Sequence, residues 1–170
     1  MMNKVVILGS SGTGKTTLCR LLGEKFNLKI LHLDSVYWKK DWNHINKSDF
    51  DKLMKKFLLE NRKWIIDGNY SHNLHFDYRL EACDTIIYLD FGLQVSLNGI
   101  HERADKYKHR VREDMAEGCV EGIDQEFLKY VAFYKNKNML LKAHIKKYQN
   151  KKRVLIFKSR EELNSWVNNL

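Results

Sequence analysis

The sequence contains no proline. A break in any long helix must therefore come from something other than a missing backbone donor. Only three cysteines occur, Cys19, Cys83 and Cys119, far apart and in no metal-binding spacing. An odd, scattered set argues against a disulfide framework and for buried or idle thiols in a reducing compartment, so a cytoplasmic location is expected. No apolar run approaches the roughly eighteen residues needed to span a membrane as a helix. The stretch from Met1 to Leu8 is too short in apolar residues for a signal peptide, and no small-residue cleavage site follows it. Repeats, low-complexity tracts and linkers are missing.

What is present suits a soluble globular chain. Its 170 residues, 44% hydrophobic and 30% charged, suffice for one substantial core and are too few for two ordinary domains. A single domain over 1–170 is expected. The formal charge of +9 is concentrated late in the chain. Between Lys135 and Arg153 there are eight Lys/Arg and no acid. These cations alternate with Asn and Gln and lack an aromatic platform for bases, as on a solvated helix face. Attraction of nucleic acid there would be non-specific.

Five short apolar runs punctuate the chain: Val5–Leu8, Ile30–Leu33, Trp64–Ile66, Thr85–Leu89 and Val154–Phe157. Most are continuous rather than alternating, as in strands covered on both faces of a parallel sheet. The segments between them are long enough for crossover helices. Phe50, Leu53, Met54, Phe57 and Leu58 recur at helical spacing after Ser48, the expected N-cap. Ser159 with Glu162 predicts a capping box ahead of a Leu163, Trp166, Val167, Leu170 stripe. A long helix is expected from about Asp124 to Gln149, with Tyr134, Leu141, Ile145 and Tyr148 as its inner face. The βαβα order gives an α/β three-layer domain.

The strongest chemical signal is Gly9-Ser10-Ser11-Gly12-Thr13-Gly14-Lys15-Thr16, the full G-x-x-x-x-G-K-[ST] (Walker A) pattern. A strand precedes it, and a helical pattern of Thr17, Leu18, Leu21 and Leu22 follows. The glycines let successive N–H groups turn inward on phosphate oxygens, and the helix presents its positive end to the same anion. Lys15 can reach the β- and γ-phosphates of ATP, and the Thr16 hydroxyl can ligate Mg²⁺.

Strand ends supply the remaining candidates, because ligands of an open parallel sheet sit beyond its carboxyl edge. Asp34 closes the second run, Asp67 the third, and Asp90 follows the fourth. Two of these carboxylates can face the phosphate loop, one holding a metal-bound water and one orienting or deprotonating an acceptor hydroxyl. Tyr37, Trp38 and Trp42 either line a pocket or cover the core. From Leu93 to Arg112 a helix is expected to run into a basic stretch of Arg103, Lys106, Lys108, Arg110 and Arg112, followed at once by Glu113, Asp114 and Glu117. Such a mixture reads as a lid with arginines for a transferring phosphoryl group, or as a solvated face.

Together, the phosphate loop, the Asp67-Gly68 pair and the later arginines resemble the adenylate-kinase-like branch of P-loop kinases. Adenylate kinases carry Asp-Gly-x-Pro-Arg after their third strand, whereas this chain has Asp67-Gly68-Asn69-Tyr70-Ser71. A nearer resemblance is to the DNA topology modulation (FlaR-type) proteins. It rests on Leu33-Asp34, Tyr37-Trp38, Trp64 to Tyr70, Arg79, Asp84 to Asp90, Arg112 to Cys119 and Phe127 to Tyr130. The resemblance implies a five-stranded parallel sheet of order 2-3-1-4-5 with a helical lid at about 103–122. It also implies lid arginines Arg103, Arg110 and Arg112, a metal site of Thr16 and Asp67, and an acceptor site shaped by Asp34, Asn69, Tyr70 and Arg79, with Tyr37 and Trp38 beside it.

The expected activity is transfer of the γ-phosphoryl group of ATP·Mg²⁺ to a small acceptor. Two alternatives stand beside it: an ATP-dependent regulatory protein acting on nucleic acid, and a polynucleotide 5′-hydroxyl kinase.

Overall fold

The computed structural model describes residues 2–71 and 75–170, with side chains throughout except at 75, 135–138 and 140. The apolar runs become β1 (Lys4–Gly9), β2 (Lys29–His32), β3 (Trp64–Asp67), β4 (Thr85–Leu89) and β5 (Arg153–Phe157). All pair in parallel in the order β2-β3-β1-β4-β5. Seven helices are described, α1 (Lys15–Phe26), α2 (Leu33–Tyr37), α3 (Lys47–Glu60), α4 (His75–Ala82), α5 (Leu93–Lys106), α6 (Gln125–Tyr148) and α7 (Arg160–Asn168). A single 3₁₀ turn covers Lys40–Trp42.

Alternate strand residues serve opposite faces. Val6, Leu8, Ile66, Ile86 and Tyr88 join one core with residues of α3, α4 and α6. Val5, Ile7, Ile65, Ile87 and Leu89 join the other with α1 and α7. Residues Val5 to Leu8 are wholly buried, which is why a continuous apolar run was needed. Each such side chain contributes roughly 1.5–3 kcal/mol on burial. The inner face of α6 is as expected, with Tyr134, Leu141, Ile145 and Tyr148 all buried.

Local chemistry moves some boundaries. Asp34 does not end a strand, because β2 stops at His32 and Asp34 lies in the first turn of α2. Ser35 Oγ donates to the His32 carbonyl at 2.8 Å, turning the chain into the helix while Leu33 is buried. The cap of α3 is Asn46 rather than Ser48. Its Oδ1 accepts the Asp49 N–H at 2.9 Å and its Nδ2 donates to the Asp49 carboxylate at 2.8 Å. At α7, Ser159 Oγ accepts the Glu162 N–H at 3.2 Å, while Glu162 reaches back to the N–H of Lys158. The 103–122 segment is helical only over Arg103–Lys106, the end of α5. Residues 107–124 are irregular, with one bridge between Val111 and Val120.

Candidate active site

The parallel register sets the site. Gly9 pairs with Leu89, Ile7 with Asp67 and His32 with Asp67, so the ends of β1, β2, β3 and β4 reach the same edge of the sheet. There the phosphate loop leaves β1. Gly12 and Gly14 have φ of 75° and 89°, a left-handed backbone that disfavours side chains. Thr13 Oγ1 and Lys15 Nζ each donate to the Ser10 carbonyl at 2.8 Å, closing the loop on itself. The loop is pressed against α5: a Cβ on Gly99 would stand 2.1 Å from the Gly12 carbonyl oxygen.

Beside the loop lies a cleft of about 440 Å³, a size typical of small-ligand sites. Ser11, Gly12, Thr13, Gly14, Lys15, Thr16 and Thr17 line it, together with Asp34, Asp67, Arg103 and Arg112. Desolvation lowers the pKa of Lys15. The carboxylates of Asp67 and Asp34 oppose that fall, and Arg103 and Arg112 add to it. Lys15 thus feels two acids and two guanidinium groups drawn from four separate segments.

Thr16 Oγ1 donates to Asp67 Oδ2 at 2.9 Å, and His32 Nδ1 lies 2.7 Å from Asp67 Oδ1. Burial works against charge on His32, but the hydrogen bond and charge of Asp67 outweigh it and raise the imidazole pKa. A hydroxyl and a carboxylate side by side form the hard oxygen donor set that Mg²⁺ prefers. The inward-turned loop and Lys15 form the complementary set for a triphosphate. Both groups fit the residues present.

Asp34 reaches the cleft from α2, and its Oδ1 accepts from Tyr70 Oη at 2.6 Å. Burial and then the Asp34 charge push the Tyr70 phenol pKa up, so Tyr70 is a neutral donor that holds the carboxylate in place. Behind it, Tyr37 stacks on His44 with ring centroids 5.2 Å apart and meets Tyr70 at 4.8 Å. Trp38 meets Trp42 edge-on at 5.5 Å. Neither Tyr37 nor Trp38 is on the cleft wall; Tyr37 packs against the core.

Asn69 is tied to the start of the phosphate loop. Its Oδ1 accepts the Gly9 N–H at 3.1 Å, and its Nδ2 donates to the Gly9 carbonyl at 2.8 Å and to Tyr134 Oη at 2.9 Å. Arg79 is wholly buried, bonded to the Asn69 carbonyl and 4.9 Å from the Phe76 ring. Burial lowers its pKa to about 9. Arg110 is exposed and off the cleft wall.

Lys106 of the basic stretch also lines the cleft, and sequence reasoning missed two further cations there, Arg20 and Arg160. Arg20 stands four residues after Thr16, one helical turn along the same face, a spacing that was available to find it. Arg160 opens α7 and approaches the Gly12 carbonyl at 3.5 Å; only the tertiary fold brings it there.

The fold matches that of shikimate kinases. Shikimate kinase from Bacteroides thetaiotaomicron superposes with a TM-score of 0.52 at 16% identity, covering 99% of this chain and 96% of its own. Shikimate kinase from Acinetobacter baumannii, solved with shikimate, superposes with a TM-score of 0.55 at 12% identity, covering 99% and 90%. Among sequences, the uncharacterised protein YqaC of Bacillus subtilis (strain 168) is 25% identical over 147 residues, 84% of this chain and 79% of its own. Cytidylate kinase of Clostridium perfringens (strain 13 / Type A) is 32% identical over 85 residues. That match takes in 43% of this chain and 39% of the cytidylate kinase. No family model matches the chain.

Proposed function

We propose that the protein is an ATP-dependent phosphotransferase acting on a small acceptor. One observation carries the reading: a single cleft brings together the phosphate loop, the Thr16–Asp67 pair and a second carboxylate, Asp34, held by Tyr70. The loop amides and Lys15 hold the triphosphate. Thr16 and Asp67 hold Mg²⁺, which when bound offsets the charge of the phosphate oxygens. An acceptor oxygen forms a bond to the γ-phosphorus as the bond to the β–γ bridging oxygen breaks, leaving ADP. Asp34 orients the acceptor and takes its proton, then releases it to water. Arg103 and Arg112 stabilise the charge on the transferring group. The 103–122 segment acts as a lid within a single domain.

The likeness to shikimate kinases and to part of a cytidylate kinase supports this reading, and it does not extend to the DNA topology modulation proteins. The three buried free thiols suit a reducing, cytoplasmic setting. Among the described residues, no helix is long and apolar enough to cross a membrane.

The test is a calorimetric titration with MgATP, followed by turnover with labelled ATP against shikimate, cytidine monophosphate and a 5′-hydroxyl oligonucleotide. We expect MgATP binding that Lys15→Ala abolishes, and transfer to a small acceptor in preference to the oligonucleotide. Absence of MgATP binding would refute the reading.

A further inference from the structure

One carboxylate stands between the two arginines of the cleft. Glu121 Oε1 accepts from Arg103 Nε at 2.8 Å, and Glu121 Oε2 lies 2.6 Å from Arg112 Nε. The Glu121 side chain is 2% exposed, against 24% for Arg103 and 9% for Arg112. Its own backbone is anchored, since the Glu121 N–H donates to the Arg110 carbonyl at 3.0 Å beside the Val111–Val120 bridge. Arg112 continues the chain of charge through Nη1 to Asp114 at 2.7 Å, and Asp114 lies 3.5 Å from Arg20 on α1. None of the motifs that pointed to the lid includes Glu121.

The nitrogens that Glu121 engages matter. It accepts a hydrogen bond from the Nε of Arg103 and pairs by charge, without hydrogen-bond geometry, with the Nε of Arg112, in each case at the edge nearest the side-chain stem. The terminal nitrogens of Arg103 have no hydrogen-bond partner among the described residues. A guanidinium held by its stem edge keeps its terminal donors for a second anion. A buried carboxylate shared by two arginines also removes their mutual repulsion, which would otherwise drive them apart. We propose that Glu121 is the positioning residue of the cleft, fixing Arg103 and Arg112 together so that the terminal nitrogens of Arg103 and the Nη2 of Arg112, whose Nη1 is taken by Asp114, are preset for the phosphate oxygens of ATP. The inference rests on the nucleotide reading of the cleft. It assigns Glu121 the part of an organiser and not of a competitor that phosphate must evict. An amide in its place has one acceptor oxygen where the carboxylate has two, and in the same pose it turns N–H donors on one of the arginines.

The test is MgATP affinity by calorimetry for the wild type, Glu121→Gln, Glu121→Asp, Arg103→Ala and the Glu121→Gln/Arg103→Ala pair. Glu121→Gln should weaken binding on the order of tenfold, the size of effect seen when an outer partner orienting a ligand group is removed. Glu121→Asp should recover most of the loss. The double variant should lose less than the product of the two single losses, because part of the effect of Glu121 passes through Arg103 and the rest through Arg112. Unchanged or tighter binding by Glu121→Gln, or losses that multiply in the double variant, would overturn the proposal while leaving the nucleotide reading intact. A wild type that does not bind MgATP would overturn both. Should Glu121→Gln fail to fold, side-chain NMR of the wild type decides. The Nε–H signals of Arg103 and Arg112 should persist as MgATP is added while their Nη signals shift. Loss of the Nε signals would show that phosphate displaces Glu121, and the proposal would fall.

Discussion

Replacing Gly99 with alanine should destabilise the protein and weaken nucleotide binding together. Alanine is the better helix former by about 0.8–1 kcal/mol, so propensity alone favours the change within α5. The contact decides otherwise. The added Cβ would stand 2.1 Å from the Gly12 carbonyl oxygen and 3.0 Å from its carbonyl carbon. Carbon–oxygen contacts settle near about 3.3 Å, so α5 and the loop must separate by roughly 1 Å. Both partners are backbone and neither can swing aside. Overpacking of this kind costs about 1–3 kcal/mol, leaving a net loss of up to about 2 kcal/mol after the helix gain. In a chain of this length each kcal/mol moves Tm by about 2–4 °C, so Tm should fall by several degrees. Arg103 lies one turn beyond Gly99 on the same helix, and a displacement of about 1 Å at a positioning contact can cost as much as about a hundredfold. Thermal unfolding by circular dichroism and MgATP calorimetry read the two effects. Gly14→Ala is the control: its Cβ meets nothing within 4 Å, yet its φ of 89° is left-handed. It should cost about 1–2 kcal/mol through the backbone alone. A Gly99→Ala protein with raised Tm and unchanged affinity would refute the reasoning.

Asp67→Asn keeps an acceptor for Thr16 but removes the charge, so the Mg²⁺ concentration supporting half-maximal ATP binding should rise about tenfold or more; an unchanged Mg²⁺ dependence in the same titration would count against Asp67 as a ligand. Burial works against the charge of Asp90, but hydrogen bonds from Lys158, Lys142 and Tyr88 outweigh it and hold its pKa below 3.8. The stability it adds is therefore present above pH 3.8 and lost as pH falls through the lower folded value. Asp90→Asn should be less stable than wild type at neutral pH, and denaturant titrations should show that deficit closing in strong acid. Amides of residues 107–124 should exchange quickly in the free protein and more slowly with MgATP; equal, strong protection in both states would make the segment a fixed element.

The central strands β1, β3 and β4 were legible because each is buried on both faces and so had to be written as a continuous apolar run, while the edge strands β2 and β5 carry short apolar runs that are only partly buried. Helix α6 was legible at both ends, since Asp124 caps it through the Phe127 N–H at 2.7 Å and its inner face repeats at helical spacing. The phosphate loop is a local motif that a linear reading finds complete. What escaped is tertiary. That Asp34 belongs to a helix depends on Leu33 finding the core and Ser35 bonding back to His32. Arg160 enters the cleft only because β5 lies beside β4 and brings α7 to the loop. Glu121 lies beyond the acids that follow the basic stretch and belongs to no motif; only the turn at 107–124 folds it back onto Arg103 and Arg112.

The double grip of Asn69 on Gly9 has a mechanical consequence. One amide matches both the donor and the acceptor of a backbone unit, as a neighbouring strand would, and its remaining N–H goes to Tyr134 of α6. The phosphate loop, the turn after β3 and the inner side of α6 are thereby clamped into one piece. Any breathing that admits a ligand must come from what this clamp does not hold, the stretch from Tyr107 to Asp124, whose charged anchors reach α1 and α5 through Arg20 and Arg103. The lid proposed for this stretch would turn about Lys106–Tyr107, at the end of α5, and Asp124, the cap of α6.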